Sequence, residues 1–312
     1  MIEKYAKPGI SVNMLFPETL VNEDAQLDAF KVCCDFEKYE ALDIFLPEDS
    51  VIRHYVLKLL TKSGKSTNYN APPSYQDPQY DAGNADKTIR DSTLALIKRH
   101  IDFAAHSGSE IFVLPSCKDT GAQERGTRME FFKDFMCQAA VYAEQYKITI
   151  ILEPIERDRF KRMLLGPTFD CVEFVKDLQK KGCNNVQLMI DTAHLPLMGE
   201  DYTDALRYSK KVGLYHVHLG NAVLNKDNEL YGHMHAPLDI QDGVYGFTDL
   251  VNLMSEMLEL GFIRAEAKNK LPISYEIRPY PGVSPQVTAA AVYDMLDNAL
   301  VRALARDKEL MA

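Results

Sequence analysis

Ile148-Thr149-Ile150-Ile151-Leu152-Glu153-Pro154 runs through five apolar or β-branched residues and stops on a carboxylate. A run without polar alternation is what a parallel strand covered on both faces requires. Runs of this kind recur along the chain, at residues 10–16, 41–46, 66–69, 110–114, 148–152, 186–190, 213–219 and 273–277; most are nearly continuously apolar, and Ser66–Tyr69 is the weakest of them. Longer amphipathic segments separate these runs, at 22–40, 87–107, 129–146, 168–181, 203–211, 248–260 and 285–305, and read as helices. Asn22 is placed to cap the first of them, and Gly182 and Gly261 stand where a glycine closes a helix.

Alternation of strand and helix implies a parallel sheet with helices outside it. Eight runs favour closure into an α/β fold of the (β/α)8 barrel type, one catalytic domain over residues 1–312. No G-x-G-x-x-G follows the first run, which argues against an open dinucleotide-binding sheet. Two stretches break the rhythm, residues 61–87 and residues 221–246. Both are rich in turn-forming residues, and the second carries His233 and His235. Long loops in compact domains are commonly the ones that bind something, so both are expected near a site.

Composition narrows the function classes. The net charge of the 312 residues is -10, with no basic footprint for nucleic acid or an anionic membrane surface. No apolar run approaches the roughly 18 residues of a membrane span, and the first residues lack a signal-peptide pattern. The six cysteines form no C-x-x-C pair, and adjacent Cys33 and Cys34 read as buried helix residues. Sparse cysteines in a long chain fit a reducing compartment, and the expected location is cytoplasmic.

Chemistry is expected where charge interrupts a buried run, because barrel enzymes carry their reactive groups at the C-terminal ends of the strands. Four runs end this way: at Glu153, at Asp191, at His218 and at Glu276. Isolated buried carboxylates are costly unless paired or bound to a cation, and three at one end of a barrel would repel one another. One divalent ion would resolve that repulsion. An oxygen-rich set with one imidazole suits manganese first, with magnesium, cobalt or zinc also compatible. Taken singly, each residue has a plainer role. Glu153 could pair with Arg157 or Arg159, and one of His216 and His218, two apart on a strand face, could be a core histidine.

The ordered set Leu152-Glu153-Pro154-Ile155, Ile190-Asp191-Thr192-Ala193-His194, His216-Val217-His218 and Tyr275-Glu276-Ile277-Arg278-Pro279 resembles the xylose-isomerase-like TIM-barrel superfamily of sugar isomerases and epimerases, from Ile10 to about Ala305. In its ketose 3-epimerase and hydroxypyruvate isomerase branches, the matching Glu, Asp, His and Glu hold the metal. The resemblance therefore implies that Glu153, Asp191, His218 and Glu276 are ligands. It implies that Glu153 and Glu276 also exchange the substrate's proton through an enediolate, and that His194 contacts a substrate oxygen. His216 and His235 join the expected substrate-binding residues. A homo-oligomer is the common assembly in such families.

Departures from the ketohexose pattern also bear on substrate. Where those epimerases carry Glu six residues after the first ligand, this chain has Arg159, and where they carry Arg six residues after the ligand histidine, it has Leu224. Arg157, Arg159 and Arg278, with Lys161 and Arg162, suggest a basic rim instead. Guanidinium groups suit carboxylate or phosphate, so a sugar acid or sugar phosphate is the expected substrate class. Gly282-Val283-Ser284-Pro285, ahead of the last helix, is a further candidate for holding phosphate. A lyase sharing the enediolate (dehydratase, decarboxylase or aldolase) is the alternative. The apurinic-site endonuclease branch is a third reading, weakened because the fourth run ends Leu114-Pro115-Ser116 without histidine.

Overall fold

The computed structural model describes residues 1–310. Eight parallel strands close into a barrel: β1 (Lys7–Ser11), β2 (Ala41–Ile44), β3 (Ser66–Asn70), β4 (Ile111–Pro115), β5 (Thr149–Glu153), β6 (Val186–Asp191), β7 (Leu214–Leu219) and, after a small antiparallel pair formed by β8 (Asn221–Val223) and β9 (Gly232–Ala236), β10 (Pro272–Tyr275). β10 returns to pair with both β7 and β1, which closes the ring. The helices are α1 (Val12–Leu15), α2 (Asp24–Cys34), α3 (Ser50–Ser63), α4 (Lys87–His106), α5 (Ala122–Glu144), α6 (Thr168–Lys180), α7 (Leu195–Met198), α8 (Tyr202–Ser209), α9 (Phe247–Glu259) and α10 (Pro285–Leu310). Gly182 and Gly261 both adopt positive φ just past α6 and α9, as expected of terminating glycines. No helix among the described residues is long and apolar enough to cross a membrane.

Two packed regions result. The large core lies between barrel and helices and includes Ile10, Leu42, Ile44, Phe112, Ile150, Leu152, Phe132 and Phe135. A small separate cluster, Ile111, Val113, Ile151 and Met189, comes from alternate residues of β4, β5 and β6. Alternation along a strand sends successive side chains to opposite faces, so this cluster fills the barrel's interior on that side. Across from it the interior is polar, with Asp43, Asn68, His216, His218 and Ser274 buried.

Several boundaries differ from the sequence reading. The first strand is Lys7–Ser11, whereas much of the apolar run at 10–16 forms the single turn α1. The strand follows pairing with β10 and β2 rather than hydropathy. Gly9 belongs in it because a Cβ there would collide with the Ser274 side chain. Helix α3 was not expected. Only Val56 and Leu60 of its fourteen residues are buried, a stripe too narrow to register as periodicity. Its ends are nonetheless well marked: Asp49 accepts from Val51 N and Ile52 N at 2.8 and 2.9 Å, and Gly64 closes it at φ 67°. The anticipated loop at 61–87 therefore holds the end of α3 and all of β3. The anticipated loop at 221–246 contains the β8–β9 pair. Helix α2 starts at Asp24, with Asn22 Oδ1 accepting from Asp24 N at 3.0 Å.

Candidate metal-binding active site

Glu153 is the last residue of β5, Asp191 the last of β6, His218 the next to last of β7, and Glu276 follows β10 directly. Barrel register brings them level. Asp191 and His218 are Cα partners, and Glu276 N donates to Leu219 O at 3.0 Å. One ligand atom from each of the four lies within 4.8 Å of all the others. Asp191 Oδ1 accepts from Ala193 N at 2.8 Å, but its Oδ2 is buried with no partner. His218 Nδ1 is also without a hydrogen bond, although Glu276 Oε2 is 2.8 Å away. A buried carboxylate oxygen left without a partner is costly, and the donor set fits a divalent cation.

Charge at the site is unevenly held. Burial, reinforced by Glu276, pushes Glu153 up to about 7. Burial likewise raises Asp191 well above the carboxylate range, against the pull of His194. At Glu276 burial acts in the same sense, but His218 and His235 outweigh it and hold the carboxyl below its ordinary range. Burial would strip the His194 proton, yet Asp191, Glu156 and Glu153 around it push its pKa up to about 9. His218 is raised in the same way, burial being outweighed chiefly by Glu276 and Asp43. The site thus crowds carboxylates whose charge is offset by protons on His194 and His218 and on the raised carboxyls of Glu153 and Asp191.

A cleft of about 340 Å³ opens above these residues. Glu153, His194, His218, His233, His235, Glu276 and Arg278 line it, with Lys161 at the rim and Met14, Leu20, Phe45 and Tyr75 on an apolar wall. Both irregular stretches reach it, through Asn70–Gln76 residues on one side and His233 to His235 on the other. His194, expected to face substrate, is at the cleft with its Nδ1 2.7 Å from Glu156 Oε2, and its ring stacks on His233 at 4.6 Å between centroids. His235 Nδ1 lies 3.1 Å from Glu276 O. Its φ is 47°, and burial lowers its pKa to about 4. Arg278 lines the same cleft, with its Nε buried and unpartnered.

Four expectations are corrected. Arg157 does not reach the cleft, because Asp170 takes its guanidinium at 2.7 Å and Leu164 O accepts from its Nε at 3.1 Å. Arg159 is exposed and also outside the lining. His216 lies beneath the cleft rather than on it, buried against Asp43 and Pro272 O. Gly282-Val283-Ser284-Pro285 contributes nothing to the lining. Two residues escaped the sequence reading. Glu156, among the charged residues that follow β5, is 1% exposed and holds His194. Asp43 interrupts the run 41–46, and that interruption was the available signal for it.

Comparison with known proteins agrees with this architecture. Residues 47–282 match the family model described as xylose isomerase-like TIM barrel. Among solved structures, a D-tagatose 3-epimerase-like protein superposes with a TM-score of 0.70 at 17% identity, covering 94% of this chain and 98% of that one. L-ribulose 3-epimerase gives 0.69 at 16% identity, covering 98% of both chains. An AP endonuclease of family 2 from Brucella melitensis gives 0.69 at 16% identity, covering 93% of this chain and 98% of that one. With the family model matched over most of the chain, the chain belongs to the xylose isomerase-like TIM barrels.

Proposed function

We propose that this protein is a divalent-metal-dependent isomerase or epimerase of a keto-sugar bearing an anionic group. The observation that carries the reading is the convergence of Glu153, Asp191, His218 and Glu276 within 4.8 Å, with Asp191 Oδ2 and His218 Nδ1 unpartnered. Bound there, manganese, magnesium, cobalt or zinc would polarise a substrate carbonyl and stabilise the enediolate formed when the adjacent carbon loses its proton. Glu153 and Glu276 would exchange that proton. Their environments push them in opposite directions, Glu153 up to about 7 and Glu276 down, which is the pattern expected of an acid and a base sharing one substrate. The 3-epimerases among the structural neighbours support a sugar as substrate.

Arg278 and Lys161 supply the anionic preference. Both line the cleft, and the buried Arg278 Nε lacks a partner. A carboxylate or phosphate on the substrate would satisfy the guanidinium in the bidentate geometry it favours.

The test is proton exchange. The metal-loaded protein is incubated in D2O with keto-sugars, sugar acids and sugar phosphates. Deuterium entering the carbon beside the carbonyl, lost in Glu153→Gln and in Glu276→Gln, is the expected result. Product analysis separates epimerisation from loss of water or carbon dioxide, the lyase reading. A protein that binds no divalent ion, or exchanges no proton with any of these, refutes the proposal. A hydrolytic reading is favoured by one observation, the close grouping of His194, His233 and His235, and it requires more than one ion per chain.

A further inference from the structure

Asp43 lies in β2, wholly buried, and its carboxylate reaches across the barrel. Its Oδ1 is 2.6 Å from His216 Nε2 and 3.1 Å from His218 Nε2, and its Oδ2 accepts from Asn68 Nδ2 at 3.4 Å. In barrel order β1 and β10 separate β2 from β7, so this contact spans the interior. Neither Asp43 nor His216 lines the cleft, so neither is placed to touch a substrate there.

Counting donors assigns the protons. A carboxylate oxygen accepts, so His218 offers it Nε2–H, and the nitrogen left to bind a cation is Nδ1, the one facing Glu276. His216 Nδ1 faces Pro272 O at 3.1 Å; a carbonyl only accepts, so Nδ1 carries a proton. One further proton must then lie between His216 Nε2 and Asp43 Oδ1. The main chain of β10 orients His216, His216 orients Asp43, and Asp43 orients His218.

We propose that Asp43, braced by His216, is the positioning residue that fixes the tautomer and ring direction of His218 so that Nδ1 is presented to the ion. The inference rests on the metal reading given above for Glu153, Asp191, His218 and Glu276. Carboxylate partners of this kind raise the basicity of a ligand imidazole and hold its ring, and losing one typically costs about 10–100-fold in metal affinity. Asparagine cannot replace Asp43. With its oxygen toward the two rings, it lacks the charge that shares a proton with His216. With its amide nitrogen there, it demands a bare Nε2 on His218, which moves the proton onto Nδ1 and blocks the ligand position.

The test measures Mn2+ affinity by calorimetry for wild type, Asp43→Asn and Glu153→Gln. Alongside it, 15N-histidine NMR of the Zn2+-loaded wild-type protein is assigned against His218→Gln. The expected result is a roughly 10–100-fold weaker Mn2+ affinity in Asp43→Asn, with His218 bound through Nδ1 and a slowly exchanging Nε2–H in wild type. Glu153→Gln should weaken Mn2+ while leaving Nε2–H in place. Unchanged Mn2+ affinity in Asp43→Asn, or His218 bound through Nε2, overturns the proposal. Should Asp43→Asn fail to fold, the wild-type spectrum alone decides: Nδ1 ligation supports the role and Nε2 ligation ends it. If wild type binds no divalent ion, this inference falls together with the metal reading. If wild type binds and Asp43→Asn binds equally, only this inference falls.

Discussion

His218 Nδ1 and Glu276 Oε2 stand 2.8 Å apart without forming a hydrogen bond. In the ion-free protein the raised His218 ring keeps a proton that offsets the Glu276 carboxylate, and a divalent cation would take that proton's place. A bound divalent ion would stabilise the folded chain by mass action, by about 2.7 kcal/mol at a hundredfold excess over Kd. Saturating Mn2+ should therefore raise Tm by roughly 4 °C over protein treated with chelator. His218→Gln and Glu276→Gln should each lose most of that shift. Thermal denaturation with and without Mn2+ checks it, and equal shifts in variants and wild type would count against the site.

Glu153 provides a pH signature. Its carboxyl is pushed from an ordinary 4.5 up to about 7. Folding raises this pKa, so between about pH 4.5 and 7 the folded chain keeps a proton that the unfolded chain releases. Stability attributable to Glu153 falls as pH rises through that window, by at most about 3 kcal/mol. In chelator-treated protein, Glu153→Gln should gain stability relative to wild type on moving from pH 5 to pH 8. Urea denaturation at the two pH values measures the difference, which cancels titration elsewhere. No relative gain would mean that Glu153 titrates normally.

Arg278 and Arg157 should separate cleanly. Arg278 lines the cleft with an unpartnered nitrogen, whereas Arg157 is committed to Asp170. Removing a charged hydrogen bond to substrate costs about 1.5–3 kcal/mol, so Arg278→Ala should lower kcat/KM on a carboxylate- or phosphate-bearing substrate by roughly 10–100-fold. Turnover of a neutral ketose should change much less. Arg157→Ala should act mainly on stability. Steady-state kinetics on charged and neutral substrates tests this, and equal losses on both would remove the anionic preference.

Away from the site, Tyr69 is wholly buried, its hydroxyl accepting from Leu46 N at 3.1 Å and lying 2.8 Å from His100 Nδ1. Tyr69→Phe leaves both partners unsatisfied and should destabilise the fold by about 1–3 kcal/mol. Catalytic constants should be retained, since Tyr69 does not line the cleft. Chemical denaturation gives the first number and steady-state kinetics the second.

Most of the barrel was legible because most buried parallel strands leave a nearly continuous apolar run, and the metal-type residues stood out as the places where such a run stops on charge. β3 was readable despite its polar composition. Helix α3 was not, because burial of Val56 and Leu60 alone leaves almost no periodic trace. The limits of β1 were misread because its pairing, not its hydropathy, sets where it begins.

Local sequence determined which residues could carry the chemistry: Glu153, Asp191, His218 and Glu276 each stand at or near a strand's C-terminal end, whatever surrounds them. Tertiary structure decided who their partners are. Arg157 and Arg278 are the same residue type near the same rim, yet Asp170 on α6 takes one and leaves the other facing the cleft. His216 and His218 share a strand face, yet only His218 lines the cleft, while His216 lies below it against Asp43, 173 residues away in the chain. Strand periodicity fixes which way a side chain points, but closure of the barrel sets the height at which it meets residues from the far side, and no local stretch of sequence encodes that height.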